Sequence, residues 1–284
     1  MSLILESKSV IEKEILKLQE EVETLERKPT LAIILAEGFS NASSVYVNNK
    51  LKIAKRIGIQ TYLYKIEFKD KSEGEFRAEL FALIDSLNEN EGIDGIIAQL
   101  PIPFVSDDEI AERISPLKDV DGFSVQALGE VVRGESLFIP CTPLGAMMLL
   151  NHYNLNLTGM NCTVIGRSNI LGKPLVNLLI NKGATVICCN SKTKNIKEFT
   201  KISDFVFLAT GNAKMFDESY FKEGATVIDF GMNRDSKNKL CGDLDIESCK
   251  DILGAYTPTP GGTGPMTCLA LMVNTITAYR NKIK

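Results

Sequence analysis

Tyr46 and Lys50 stand four residues apart in NASSVYVNNKLKIAKRIGI, so on a helix their side chains share one face, a single turn apart. An aromatic ring beside an amine suits a flat, electron-rich ligand, although the same pair also decorates ordinary solvated helix faces. Gln99 adds a polar side chain at the end of the otherwise apolar stretch GIIAQLPIP, and KDVDGF places Asp119 and Asp121 in a loop. Two carboxylates so spaced could grip a ligand's N–H groups or simply form an acidic turn. The second half offers TVIGRSNILGKP, a β-branched run followed by Gly166, Arg167, Ser168 and Gly172. Glycine at a strand end lets the backbone turn sharply and approach a phosphate, while the following helix presents unpaired N–H groups. The spacing is not the usual G-x-G-x-x-G, so a dinucleotide turn and a plain strand-to-helix connection both satisfy it. The next strand, ATVICC, ends in Asn190, Ser191 and Lys192. No carboxylate stands where NAD-binding folds grip the ribose hydroxyl, and Arg167 with Ser191 suits the 2′-phosphate of NADP instead.

Elements of alternating type must position these groups. Ile11, Ile15, Leu18 and Val22 recur at steps of three and four, predicting a helix over 6–26 that leads into the strand TLAIILA. A helix capped by Asn41 or Ser43 and ended by Gly58 follows, then the strand QTYLYKIEF. Phe76, Leu80, Leu83 and Leu87 line a further helix before the apolar strand that ends in Gln99. The second half repeats the pattern: TVIG, helix 173–182, ATVICCN, helix 195–201, FVFLAT, helix 217–222, ATVIDFG. Short apolar strands alternating with helices imply an α/β fold, here two domains, the second a doubly wound parallel sheet covered on both faces. Leu269, Val273 and Ile276 place a last helix over 266–280 after that sheet is complete. Such a helix can return to the first domain, giving boundaries of 1–138 plus 257–284 for one domain and 139–256 for the other.

A chain of 284 residues with 44% hydrophobic content supplies packed cores for two domains. Lys plus Arg of 32 against Asp plus Glu of 36 gives a net charge of −4, and no long basic run invites nucleic acid or an anionic membrane. The N-terminal segment turns charged too early for a secretory signal, and no stretch reaches the ~18 apolar residues of a membrane span, so a cytoplasmic protein with a small-molecule ligand is expected. Seven cysteines without a C-x-x-C pair, and His152 as the single histidine at a helix end, supply no metal site.

In this order SSVYVNNK, DGIIAQLPIP, PLKDVDGF, PCTPLG, GRSNILGKP, GDLD and PTPGGTGPMT resemble the bifunctional methylenetetrahydrofolate dehydrogenase/cyclohydrolase family along nearly the whole chain. The resemblance implies a folate-binding catalytic domain followed by a Rossmann-type NADP-binding domain, and an enzyme that oxidises 5,10-methylenetetrahydrofolate with NADP and hydrolyses the methenyl product to 10-formyltetrahydrofolate. It also implies a homodimer. Carried over residue by residue, Lys50 becomes the acid/base and Gln99 its hydrogen-bond partner, Tyr46 positions the folate, and Asp121 anchors the pterin. Leu100, Pro101, Gly261, Gly262 and Pro265 would line the folate site. Thr142, Gly166, Arg167, Ser168, Gly172, Ser191, Thr210 and Gly211 would hold the cofactor. The chain departs from the family at Ser124, Val125 and Ala127 in DGFSVQALG, at Asn190 for a histidine and at Thr263 for a valine. Two rival readings are a dehydrogenase of the shikimate or amino-acid type and a catalytically silent NADP-binding regulator; the first leaves PGGTGPMT unexplained, and the second sits poorly with Tyr46, Lys50, Gln99 and Asp121 occurring together.

Overall fold

In a computed structural model, which describes residues 2–282, the chain alternates strand and helix as its apolar runs require. It proceeds through β1 (Leu3–Ile4), α1 (Ser7–Glu23), β2 (Thr30–Glu37), α2 (Asn41–Ile57), β3 (Gln60–Glu67), α3 (Glu73–Glu89), β4 (Gly95–Ala98), α4 (Asp107–Arg113) and α5 (Val125–Arg133). Then come α6 (Cys141–His152), β5 (Asn161–Ile165), α7 (Gly172–Asn181), β6 (Thr185–Cys189), α8 (Ile196–Thr200), β7 (Phe205–Leu208) and β8 (Thr226–Asp229). The short β9 (Asn233–Arg234) and β10 (Leu240–Cys241), α9 (Ile246–Cys249), β11 (Ala255–Tyr256) and α10 (Thr263–Lys282) complete the order.

Two compact units result, each discontinuous in sequence. One joins the residues up to Glu12 with Thr142–Thr267; the other joins Lys13–Cys141 with the residues from Cys268 onward. Their edges therefore fall at Glu12, Cys141 and Thr267, whereas sequence patterning places them at 138 and 256. The first twelve residues lie with the six-stranded unit because β1 pairs in parallel with β11, Leu3 opposite Ala255 and Ile4 opposite Tyr256. The rest of α10, from Cys268, belongs with the three-stranded unit, as a returning helix should.

The three-stranded sheet runs β3-β2-β4, all parallel, with Ile33 opposite both Leu63 and Ile97. Leu31, Ala32, Ile33 and Ile34 are wholly buried, as expected of a central strand covered on both faces. Phe76, Leu80, Ile84 and Leu87 of α3 pack against this sheet, each contributing roughly 1.5–3 kcal/mol of burial. Leu83, which the periodicity groups with them, is only partly buried, and Ile84 takes the inward position. Helix α3 opens with a capping box between Ser72 and Glu75, and α4 with another between Ser106 and Glu109.

The six-stranded sheet runs β1-β11-β8-β7-β5-β6, again parallel throughout. Cys189, Val206, Leu208, Phe216 and Val227 belong to its core. Two local expectations need correction. Helix α2 begins at Asn41 with Ser40 as its N-cap, whose hydroxyl accepts from Ser43 N, so neither Asn41 nor Ser43 is the cap; the Asn41 side chain lies outside the described residues. Gly58 does close that helix in the left-handed conformation, at φ +94°. The helix expected over 217–222 is only a 3-10 turn at Glu218–Tyr220, because the Asp217 side chain caps Ser219 N within a stretch too short for a full turn. Separately, Ala255–Tyr256 forms a short strand that no apolar run announces.

Candidate active site

Helix α2 carries Tyr46 and Lys50 on one face of the three-stranded unit. Lys50 is only 8% exposed although it bears an ammonium group, and its Nζ donates to Gln99 Oε1 at 2.8 Å. Gln99 follows β4 directly, and its Nε2 donates to Leu100 O at 3.0 Å. That second bond fixes which end of the amide faces Lys50: the nitrogen is committed to a carbonyl, so the oxygen meets the ammonium. Ser43, one turn before Val47, donates to the same Leu100 carbonyl at 3.4 Å, which ties α2 to the start of LPIP. Pro101 is exposed and Leu100 partly so, leaving both accessible beside the pair.

Asp121 joins this group. Burial pushes its carboxyl above the usual range, and the positive charge of Lys50 opposes that shift. Asp119, two residues earlier, does other work: its buried carboxylate accepts from Gly122 N at 3.0 Å and Ser124 N at 2.8 Å. It thus shapes the turn that presents Asp121, which resolves the two carboxylates into a ligand-facing candidate and a structural one. Burial also raises the Tyr46 phenol, although the residue as a whole remains 37% exposed.

Two thiols and an amide that the sequence did not single out complete the surroundings. Burial drives the Cys141 thiol well above its ordinary value, and Asp121 adds to the shift. Burial raises Cys268 as well, with Lys50 acting against it. Cys141 Sγ donates to Val120 O at 3.2 Å, and Asn274 Nδ2 donates to Val120 O and Ile139 O at 2.9 Å each. Asn274 therefore fixes the backbone immediately before Asp121. These residues come from positions 141, 268 and 274, so no local spacing announces them.

The remaining candidates lie in the six-stranded unit, on loops that follow the carboxyl ends of parallel strands, where such sheets bind ligands. Beyond β5, Gly166 adopts φ +138°, and a Cβ there would come within 2.6 Å of Ala209 O. A Cβ on Gly172 would approach Gly166 O to 2.2 Å, so both glycines are sterically required for this turn. Ser168 Oγ accepts from Gly172 N at 3.4 Å across the turn. Arg167 is exposed, and its charge offsets part of the burial-driven rise of the Cys188 thiol on β6, which places the guanidinium toward that strand's end. Ser191 and Lys192 follow there, both exposed. Asn190 Oδ1 is engaged by Lys192 N at 2.9 Å, shaping the loop and leaving no acidic side chain at its tip. An exposed guanidinium, hydroxyl and ammonium fit a phosphorylated ribose far better than a bare one.

Thr210 and Gly211 follow β7, and the Thr210 hydroxyl donates to Asp243 at 2.9 Å. Thr142, in the first turn of α6, accepts from Thr267 Oγ1 at 3.3 Å. Gly261 has φ +102°, its carbonyl accepts from Ser7 N at 2.8 Å and Ser7 Oγ at 2.7 Å, and a Cβ on Gly262 would strike Pro258 O at 2.5 Å. Pro265 is exposed in the first turn of α10. Gly261, Gly262 and Pro265 thus belong to the six-stranded unit, whereas Lys50, Gln99 and Asp121 belong to the other. His152 ends α6, with its ring edge-on to Tyr153 at 5.2 Å, the helix-terminal role expected of it.

A parallel-sheet nucleotide unit, together with an α/β unit that buries a lysine against a glutamine, defines a two-domain, dinucleotide-dependent enzyme. The chain belongs to the tetrahydrofolate dehydrogenase/cyclohydrolase family: residues 5–121 match its catalytic domain and residues 140–283 its NAD(P)-binding domain. It is 45% identical over 280 residues to the bifunctional protein FolD of Bacillus cytotoxicus, covering 97% of this chain and 96% of that one. Among solved structures it is similar to the bifunctional FolD of Campylobacter jejuni (37% identity, TM-score 0.93, 99% of each chain). It is also similar to the methylenetetrahydrofolate dehydrogenase-cyclohydrolase of Trypanosoma brucei complexed with NADP cofactor and inhibitor (29% identity, TM-score 0.91, 100% of this chain and 99% of that chain).

Proposed function

We propose that the protein oxidises 5,10-methylenetetrahydrofolate to the methenyl form with NADP and hydrolyses that product to 10-formyltetrahydrofolate. The observation that carries the reading is the buried Lys50–Gln99 pair beside Asp121, in a chain of this family. NADP supplies the hydride acceptor. Arg167 and Ser191 take its 2′-phosphate, with Ser168 and the glycines at 166 and 172 at the phosphate turn, and Thr142, Thr210 and Gly211 along the same edge. The Trypanosoma brucei relative's cofactor accords with this set.

In the three-stranded unit, Asp121 accepts the pterin's amino and ring N–H groups, and Tyr46 covers one face of the folate. Leu100 and Pro101 line further contacts there, and the family resemblance adds Gly261, Gly262 and Pro265 of the six-stranded unit. Oxidation leaves a cation delocalised over two nitrogens, so positioning matters more there than a proton acceptor. Hydrolysis is different. Water adds to the bridge carbon and loses a proton, then one C–N bond breaks and the departing ring nitrogen gains one. Lys50, held by Gln99, moves those protons. The unit of Lys13–Cys141 with the residues from Cys268 is read as the folate domain and the six-stranded unit as the NADP domain, in place of the patterned edges at 138 and 256. A homodimeric state follows the family resemblance, and seven free thiols accord with a reducing, cytoplasmic setting. A role in purine biosynthesis belongs to the same reading, since 10-formyltetrahydrofolate donates formyl groups.

The test supplies the protein with methylenetetrahydrofolate and NADP and follows NADPH and the methenyl chromophore separately. NADPH formation with transient methenyl absorbance is expected. Absence of NADPH formation would reject the dehydrogenase, and methenyl product that persists at its uncatalysed lifetime would reject the cyclohydrolase.

A further inference from the structure

Two buried carboxylates in the six-stranded unit remain outside every role described so far. Asp243 is fully buried, and Asp229 is 1% exposed. Asp243 Oδ2 accepts from Thr210 N at 2.6 Å, Thr210 Oγ1 at 2.9 Å and Gly211 N at 3.2 Å. Its Oδ1 accepts from Asn212 N at 3.0 Å and Asn233 Nδ2 at 2.8 Å. Every hydrogen-bond partner is a neutral donor, and together they fill the lone pairs a carboxylate has to offer. Asp243 is thus spent on the protein itself and has nothing left for a ligand.

Asp229, at the end of β8, supports it. Oδ1 accepts from Gly231 N at 2.7 Å and Asp243 N at 3.2 Å, and Oδ2 from Leu244 N at 2.9 Å. The Asp229 backbone N–H donates to Thr257 Oγ1 at 2.8 Å, and its carbonyl accepts from Thr263 Oγ1 at 2.9 Å. The loops after β7, after β8 and after β10 are therefore braced against one another by two side chains, and the Asp229 main chain ties in the segment ahead of α10. Two glycines make room for them. A Cβ on Gly242 would fall 1.9 Å from Asp229 Oδ2, and one on Gly231 would fall 2.4 Å from Asp243 Oδ1.

Three consecutive backbone N–H groups, at 210, 211 and 212, turn inward to Asp243. Left without it they would face outward or seek water, and the loop would have no fixed main-chain path. We propose that Asp243 is a positioning residue for the dinucleotide: it sets the main chain of Thr210–Asn212 at the carboxyl end of β7, and Asp229 holds Asp243 in place. This rests on the reading that the unit binds NADP.

The experiment compares the parent with Asp243→Asn, Asn233→Ala and the pair Asp243→Asn, Asn233→Asp. An asparagine at 243 must set an NH₂ group against donors whichever way it is turned, since both oxygens meet only donors. The KM for NADP in the dehydrogenase reaction should rise about tenfold or more, as expected for charge-assisted bonds lost around one loop. Cyclohydrolase turnover of methenyltetrahydrofolate without NADP should stay within about twofold of the parent. Asn233→Ala removes one donor only, so it keeps the test usable if the asparagine variant fails to fold; its KM for NADP should rise in the same direction, less steeply. The paired variant restores a donor–acceptor match between 233 and 243 and should recover part of the NADP affinity. Unchanged NADP affinity in folded variants overturns the assignment, and so does a parallel fall of both activities, which marks a merely structural role. A parent that binds no NADP instead rejects the cofactor reading itself, a separate outcome.

Discussion

Replacing Lys50 with methionine keeps an unbranched side chain one atom shorter and removes the amine. In the structure this leaves Gln99 Oε1 without the donor now at 2.8 Å and leaves Asp121 without the charge that favours its ionised form. An unsatisfied buried acceptor costs about 1–3 kcal/mol. At roughly 2–4 °C per kcal/mol for a protein somewhat smaller than this one, the melting temperature should fall by several degrees and the variant should remain folded at 25 °C. Catalytically, general acid/base assistance is worth ~10²–10⁴-fold, so hydrolysis of methenyltetrahydrofolate should drop by that order. The dehydrogenase loses no proton acceptor, yet a folate displaced by ~1 Å can cost ~10²-fold, so a smaller decline is expected there. The assay follows NADPH and methenyl absorbance together: the variant should produce NADPH and accumulate methenyl product that the parent consumes. A folded Lys50→Met enzyme hydrolysing at the parent rate would remove this residue from the mechanism. Equal losses in both reactions would instead make Lys50 an orienting group only.

Arg167→Ala should weaken NADP more than NAD, by roughly the 1.5–3 kcal/mol of a charge-assisted hydrogen bond, because the guanidinium has no partner on an unphosphorylated ribose; titration with both cofactors checks it, and equal losses would refute the assignment. Asp229 makes stability depend on pH. Burial, reinforced by Asp243, pushes its carboxyl up to about 6 against three opposing backbone hydrogen bonds, with Cys241 the other titratable group facing it. The folded state then holds a proton that the unfolded chain releases near 3.8, so stability should decline as pH rises from about 4 to 6, by up to roughly 3 kcal/mol, and level off above. Urea unfolding across that range should show the decline in the parent and its loss in Asp229→Asn; parallel profiles would contradict the cause given.

The strands that matter most were readable because they are central: TLAIILA, TVI and FVFL are nearly uninterrupted apolar runs, which only a sheet covered on both faces buries. The edge elements were not. Leu3–Ile4 and Ala255–Tyr256 are two-residue strands whose identity depends on each other, 252 residues apart in register, and no local pattern encodes such pairing. The helices over 107–113 and 125–133 were missed for another reason. They are short, so hydrophobic period says little, yet Ser106 with Glu109 is a capping box visible as S-x-x-E, and Ser124 caps Ala127 N. Cap chemistry would have found what periodicity could not.

The candidate site divides along the same line. Tyr46, Lys50 and Gln99 could be proposed from helix spacing and a polar residue ending an apolar strand, and Arg167 and Ser191 from a strand, a turn and a missing carboxylate. Cys141, Cys268 and Asn274 could not, because their part is to surround residues already chosen. Asp229 and Asp243 lie between these cases. Each stands within a stretch of apolar and glycine residues, VIDFG and LCGDL, where an unpaired carboxylate would cost several kcal/mol. A carboxylate kept in such a place must be meeting donors, and donors in numbers are found where parallel strands end, since there the ladder stops and backbone N–H groups lose their sheet partners. In both units several polar side chains with candidate roles therefore stand beyond the strand ends, Gln99 after β4 and Ser168, Ser191 and Thr210 after β5, β6 and β7. The sheet supplies rigidity up to its last hydrogen bond, and side chains such as Asp243 extend that rigidity into the loops that have to hold a ligand.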